Sequence, residues 1–111
     1  TTCVHDEEVE RLRTELGEVG SGLVVVKADV TDESSVSRAL GEVRGQLGAV
    51  EVLVHLVGAW HGGESVHEHS LETWQRIVDL NLTSAFLCCR AVLAEMLETR
   101  WPKRGWRRWR R

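Results

Sequence analysis

The chain has few of the residues that mark several common protein classes. Its 111 residues include three cysteines, one proline and no tyrosine. An odd number of cysteines without a Cys-x-x-Cys pair argues against a disulfide framework and against a zinc-thiolate site. No uninterrupted apolar run approaches the ~20 residues of a membrane span, and the first residues lack the features of a secretory signal. We therefore expect a single domain in the cytoplasm with no membrane partner.

Charge is divided unevenly along the chain. Before residue 103 there are eight basic and seventeen acidic side chains, whereas the last nine residues carry six basic groups and no acidic one. The acidic body gives no sign of a nucleic-acid surface. The Trp/Arg-rich tail, residues 101–111, could bind single-stranded nucleic acid or an anionic membrane. It is also typical of a G-rich gene translated out of frame, because Trp, Arg and Gly all have codons ending in GG. We favour that interpretation and expect no nucleic-acid partner.

The apolar pattern predicts helices alternating with strands. Helices are expected over 6–16, from a cap at Thr31 or Asp32 to Leu47 with Gly48 closing the helix, and over 70–99 behind a Ser70 cap. Strands are expected over 23–28 and 50–57, where the residues are mostly apolar and β-branched. This order is typical of an α/β fold with a doubly wound parallel sheet. We expect residues 1–100 to form the central part of such a domain and 101–111 to form a separate tail.

Three residues have positions that suit ligand binding. Asp29 follows the first predicted strand, where a carboxylate can bind an adenine amino group or a ribose hydroxyl, or simply stabilise a polar turn. Gly58 ends the second strand and either lets a ligand approach the backbone or serves a turn. Asn81 falls on an inward-facing helical stripe that runs from Trp74 to Met96. An amide buried there needs hydrogen-bond partners, either structural or functional.

Histidines and carboxylates are frequent around the second predicted strand and the loop after it. They are His55, His61, His67 and His69, with Glu64 and Glu68. Zinc sites usually show tighter, paired ligand spacings than these. We therefore predict no metal site and interpret the segment as a solvated loop.

Three stretches together resemble the short-chain dehydrogenase/reductase family. They are residues 28–32 (Ala-Asp-Val-Thr-Asp), residues 53–58 (Leu-Val-His-Leu-Val-Gly), and residues 74–86 around Asn81. Their order and separations are similar to those of the family's third strand, fourth strand and fourth helix. The resemblance covers about residues 4–100, and it implies a partial doubly wound, Rossmann-type parallel sheet.

The resemblance implies NAD or NADP as the cofactor. Asp29 would bind the adenine, and Val30 would provide a backbone contact beside it. The residues His55, Leu56, Val57 and Gly58 occupy the family's Asn-Asn-Ala-Gly position next to the cofactor ribose. Only Gly58 matches that pattern, so the glycine's steric role is expected to persist while the asparagine hydrogen bonds are lost.

The implied reaction is hydride transfer between a nicotinamide and a small-molecule carbonyl or alcohol. Asn81 matches the family's helix asparagine, which holds a water in the proton relay to the catalytic lysine. The chain has no tyrosine to act as general acid, and its two lysines, Lys27 and Lys103, lie in a strand and in the tail. The Gly-rich turn that binds the pyrophosphate has no counterpart here. We therefore expect a fragment that is inactive by itself.

The tail also suggests an alternative function, that of a non-catalytic α/β module whose residues 101–111 bind nucleic acid or membrane. The family resemblance leaves open a homo-oligomer that pairs through the helix at 70–99.

Overall fold

The computed structural model describes residues 2–3, 6–16 and 22–99. Its elements, in chain order, are β1 (Thr2–Cys3), α1 (Asp6–Leu16), β2 (Val26–Lys27), α2 (Glu33–Leu47), α3 (Leu71–Val78), a π-helical turn (Asp79–Thr83) and α4 (Ser84–Thr99). The last three follow one another without a break, and we refer to residues 71–99 as the long helix. All three predicted helices are confirmed. The tail at 101–111, with both interpretations of it, lies outside the described residues.

The ends of α2 are formed by the capping residues that the sequence predicts. The Asp32 carboxylate accepts a hydrogen bond of 2.7 Å from the Ser35 backbone N–H, which satisfies a donor that the first helical turn leaves free. Glu33 adds a negative charge near the positive end of the helix dipole. At the other end Gly48 takes φ = +82° and donates its N–H to the Arg44 carbonyl over 3.0 Å. Glycine favours this backbone conformation because it has no Cβ.

The described strands form a parallel pair. Thr2 lies opposite Val26 and Cys3 opposite Lys27. Parallel neighbours need a crossover connection, and here α1 lies within it. The sequence predicted a strand over residues 23–28 but gave no sign of β1. The strand is shorter than predicted because β1 pairs with only two of its residues.

A small apolar core lies between β2 and α2. Val26, Ala28 and Ala39 are buried together, and Val24 and Val43 pack against them. All five come from the predicted apolar faces of the strand and the helix. This contact positions the segment that follows β2, which is the first candidate cofactor-binding segment.

The predicted strand at 50–57 is not a strand within the described part of the chain. Residues 50–58, which we call the edge segment, pair with no other described strand. Val52, Val54 and Leu56 are 68%, 71% and 88% exposed. The prediction was wrong because an apolar run forms a strand only when a neighbour completes its hydrogen bonds. The described residues are therefore mostly helical, with very little sheet.

The long helix changes the expectation about membranes. Residues Leu71–Glu98 include an 18-residue window with a mean hydropathy of 1.6, which is long and apolar enough to cross a membrane by length and composition. The sequence pattern did not reveal it because single polar residues interrupt the apolar run. Core helices of water-soluble domains pass the same test, so the absence of a membrane partner stays a prediction.

The predicted inward stripe of the long helix is confirmed only in part. Val92 is buried, and Val78, Ala85, Cys88 and Met96 are partly buried. Trp74, however, is 64% exposed. The π-helical turn adds a residue to one helical turn, so side chains before it are rotated relative to those after it. The stripe fails at Trp74, before the turn, and at Asn81, within it.

Ion pairs join α2 to α4. The Arg44 Nε donates to Glu95 Oε2 over 2.7 Å, and Arg90 pairs with Glu33 near the start of α2. Arg44, Arg90 and Glu33 are exposed, although Glu95 is only 21% exposed, and exposed pairs contribute little to stability individually. They set the orientation of α4 against α2, and so connect the long helix to the β2–α2 core.

The Asp32 cap predicts a pH dependence of folding stability. Hydrogen bonds from the Ser34 hydroxyl and from the Ser35 N–H lower the pKa of the Asp32 carboxyl below its usual value. A carboxyl with a lowered pKa in the folded state stabilises the fold above its unfolded pKa, and this contribution is lost as the pH falls through the folded pKa. Chemical denaturation at several pH values should show Asp32→Ala less stable than the parent chain at pH 7, with a smaller difference in acid.

Asp32→Asn is the matched control, because asparagine also caps helices but does not ionise. It should retain most of the stability at pH 7 and remove the acid dependence assigned to this residue. A constant difference between Asp32→Ala and the parent chain at every pH would contradict the assignment.

Candidate functional site

A cleft of about 610 Å³ opens where β2 ends and the long helix begins. It is lined by Asp29, Thr31, Glu72, Gln75, Arg76, Asp79 and Leu80. In open α/β folds ligands bind beyond the carboxyl ends of the strands, and β2 ends at this cleft. Three carboxylates and one guanidinium provide hydrogen-bond acceptors and a cation. Asp29 is the predicted site residue that lines it.

Asp29 forms a tight polar turn at the rim of the cleft. Its Oδ1 accepts hydrogen bonds from the Thr31 N–H at 2.9 Å and from the Thr31 hydroxyl at 2.6 Å. Its own N–H donates to the Ser35 Oγ over 2.9 Å. Oδ1 accepts both of these hydrogen bonds, so neither of them uses Oδ2 as an acceptor. The turn and the ligand-binding interpretations are therefore compatible: the turn orients a carboxylate that a ligand donor can reach.

The other predicted cofactor-binding residues do not line this cleft. Val30 is partly buried between Asp29 and Thr31. In the edge segment, His55 is partly buried against the long helix, while Leu56, Val57 and Gly58 are exposed. Side chains alternate along extended backbone, which explains why His55 faces the helix when Leu56 faces away.

His55 is held by a serine that the sequence pattern did not single out. Its Nε2 lies 3.1 Å from the Oγ of Ser84, a fully buried residue. The Ser84 hydroxyl donates its one hydrogen to the Leu80 carbonyl over 2.7 Å, so it can only accept from His55. The His55 ring therefore carries a hydrogen on Nε2. The sequence signal for Ser84 was only that it is a polar residue one helical turn after Leu80. Its contact with His55 could not be inferred from that signal, because the two residues are 29 positions apart.

Asn81 joins the long helix to the end of the edge segment. Its amide Nδ2 donates to the Ala59 carbonyl over 2.7 Å, and its Oδ1 accepts from the Ala59 N–H at 3.3 Å. The second Nδ2 hydrogen is donated to the Ile77 carbonyl over 2.8 Å. The side chain is exposed rather than buried, so the expectation of a buried amide was wrong. The rotation introduced by the π-helical turn accounts for that, since Asn81 lies inside it.

Gly58 lies directly against this amide. A Cβ built on Gly58 would be 3.0 Å from Asn81 Oδ1, which is closer than side-chain carbons normally approach. The glycine thus permits a close approach, as predicted, although the neighbour observed is the Asn81 side chain. Gly58, Ala59 and Asn81, which we call the corner, are not among the residues that line the cleft, where Asp29 lies at the rim.

We expect Asn81→Ala to lower the free energy of unfolding by about 1 kcal/mol. The change removes three hydrogen bonds that are partly replaced by water, and each typically contributes about 0.5–1.5 kcal/mol net when buried. Urea denaturation followed by far-ultraviolet circular dichroism measures it. Leu82→Ala is the control, because Leu82 is an exposed neighbour on the same helix. An equal loss in both variants would show that the Ala59 contact contributes nothing specific.

Comparison with known proteins gives a consistent result. The family model for short chain dehydrogenases matches residues 2–103. Inactive 2-(S)-hydroxypropyl-CoM dehydrogenase 2 of Xanthobacter autotrophicus is 41% identical over 83 residues, covering 75% of this chain and 36% of that protein. Glucose 1-dehydrogenase 2 of Bacillus subtilis is 38% identical over 80 residues, covering 71% and 31%. The chain therefore spans about a third of the length of these relatives.

Solved structures agree with the sequence matches. Serine dehydrogenase from Escherichia coli superposes with a TM-score of 0.76 at 28% identity, covering 87% of this chain and 43% of that one. The similarity implies a Rossmann-type α/β fold for the domain to which these elements correspond. A family model that matches nearly the whole sequence, with relatives above 35% identity, leads to one conclusion: the chain belongs to the short-chain dehydrogenase family.

Proposed function

We propose that this chain contributes the cofactor-facing central part of an NAD- or NADP-dependent oxidoreductase. The reaction would transfer hydride between the nicotinamide and a small-molecule carbonyl or alcohol. The observation that carries the proposal is the oriented Asp29 turn at the rim of the cleft, together with the Gly58–Ala59–Asn81 corner. Family membership supports the reaction class.

Asp29 would hold the adenine end of the cofactor. Its Oδ1 is fixed by Thr31, so Oδ2 can accept from an amino or hydroxyl group without the turn rearranging. Val30 would add a backbone contact beside it. The cleft also contains Arg76, whose guanidinium can hydrogen-bond an anionic group.

The edge segment would lie along the ribose. Gly58 has no side chain to obstruct the ligand, while His55 is turned away and bonded to Ser84. Leu56 and Val57 would contribute contact surface and backbone groups. The Asn81 amide oxygen accepts one hydrogen bond, from Ala59, and a carbonyl oxygen can accept two. The second acceptor position is where Asn81 would hold a relay water.

The catalytic proton would have to come from outside residues 1–111. This sequence has no tyrosine, and a general acid must lie within about 2.6–3.2 Å of the atom it protonates.

We also propose that residues 1–100 occupy the centre of a doubly wound sheet, with the edge segment paired in the complete domain. A cytoplasmic location and pairing through the long helix remain part of the proposal. The alternative of a nucleic-acid or membrane module rests on residues 101–111, which lie outside the described residues.

The binding role of Asp29 can be tested by titrating the isotope-labelled chain with NAD⁺ and with NADP⁺. We expect backbone amide signals of residues 29–31 and Gly58 to shift, and the shifts to be lost in Asp29→Ala. Glu42→Ala, which removes an exposed carboxylate on α2 outside the cleft, is the matched control and should titrate like the parent chain. Shifts confined to other residues would contradict the proposed site.

The catalytic half of the proposal has a separate test. Purified chain mixed with NADH or NADPH and a panel of aldehydes and ketones should give no oxidation above the protein-free rate, because it lacks the phenol. Absorbance of the reduced nicotinamide follows the reaction. Carbonyl-dependent oxidation that scales with chain concentration would overturn the proposal that residues 1–111 cannot act alone.

A further inference from the structure

The loop between the edge segment and the long helix brings three metal-binding side chains together. We call residues 59–69 the His loop. One potential ligand atom from each of His61, Glu64 and His69 lies within 4.8 Å of the other two. Glu64 Oε2 is 3.9 Å from His61 Nε2 and 3.7 Å from His69 Nδ1. Both distances are too long for good hydrogen bonds, and the two imidazole rings meet edge-on with their centroids 5.4 Å apart.

The backbone conformation of the His loop brings these three side chains to the same side of the loop. Gly63 takes φ = +103°, a backbone conformation that residues with a side chain rarely adopt, and the chain bends at this position. A turn follows, in which the Glu68 N–H donates to the Ser65 carbonyl over 2.9 Å. The Glu68 carboxylate caps that turn by accepting from the Ser65 N–H at 3.1 Å. Glu68 is thereby occupied, whereas Glu64 faces the two imidazoles.

Both ends of the loop are attached to the long helix. Ala59 is hydrogen-bonded to Asn81, and Ser70, directly after His69, accepts from the Thr73 N–H to cap the helix. His69 is therefore the best anchored of the three and has 24% of its side chain exposed, compared with 44% for His61 and 53% for Glu64. The more exposed side chains of His61 and Glu64 can approach an ion by rotation about their side-chain bonds.

The ligand set has the chemistry of a divalent transition-metal site. Two imidazole nitrogens and one carboxylate oxygen, with a fourth position open to water, are a common set for Zn²⁺. Metal–ligand distances of about 2.0–2.2 Å place tetrahedral ligand atoms roughly 3.3–3.5 Å apart. The present separations exceed that by about 1.5 Å at most, a gap that side-chain rotation can close.

We propose that His61, Glu64 and His69 bind one divalent transition-metal ion, with Zn²⁺ as the best-matched ion. The ion would cross-link the start and the end of the His loop and hold it against the long helix. This departs from the expectation of no metal site, which rested on ligand spacing along the sequence. Spacing is informative on a regular element, but in a loop that bends at Gly63 it does not measure distance.

The test is Zn²⁺ titration of the untagged 111-residue chain by isothermal calorimetry. We expect one ion per chain, with affinity reduced at least tenfold in His61→Ala, His69→Ala or Glu64→Gln, because loss of even outer-shell partners typically costs about 10–100-fold. His67→Ala is the matched control, since His67 lies in the same loop but outside the cluster. It should bind like the parent chain.

Two further measurements distinguish this site from Zn²⁺ binding elsewhere on the chain. Cys88 and Cys89 are free thiols, so the titration is repeated in a Cys88→Ser/Cys89→Ser chain, where Zn²⁺ binding should persist. Imidazole ¹⁵N spectra should show that Zn²⁺ shifts the signals of His61 and His69 but not of His67, even if a variant folds poorly. Equal affinity in all the chains, equal loss in His67→Ala, or binding that requires the cysteines would overturn the proposal.

Discussion

The arrangement of the candidate site depends on the pairing of one side-chain amide with one backbone unit. Asn81 engages both the carbonyl and the N–H of Ala59, across 22 residues of sequence. This is the pattern by which a neighbouring strand would bond that residue in a ladder. The edge segment has no strand partner among the described residues. At its C-terminal end, the Asn81 amide makes the two backbone hydrogen bonds that a neighbouring strand would otherwise make. Gly58 and the start of the His loop take their positions from this contact.

The π-helical turn explains how the long helix can contact both α2 and the edge segment. After the turn, Leu87 and Val92 are buried, and α4 is tied to α2 by Arg44 and Glu95. Within it, Asn81 faces the edge segment while buried Ser84, just after it, supports His55. An uninterrupted α-helix would have directed Asn81 along the same stripe as Val92. π-Helical insertions frequently accompany functional sites, and here the insertion contains Asn81, which bonds Ala59 next to Gly58.

Local features of the fold could be predicted from the sequence, whereas long-range contacts could not. Asp32, Ser70 and Gly48 mark helix ends because capping involves residues no more than four apart. Asp29 was identified because it directly follows a strand. The edge segment was predicted wrongly, since its apolar pattern does not reveal whether a neighbouring strand is present. The Ser84 partner of His55 and the closing of His61 on His69 also depend on contacts that no spacing rule encodes.

The pairing between Asn81 and Ala59 can be observed directly by scalar coupling through the hydrogen bond. In a chain labelled with ¹⁵N and ¹³C, a long-range HNCO experiment should show a cross-peak between the Asn81 side-chain amide nitrogen and the Ala59 carbonyl carbon. The 2.7 Å contact is short enough to give one. Absence of the cross-peak, together with rapid solvent exchange of the Ala59 N–H, would contradict the account, because the edge segment would then have no fixed position against the long helix.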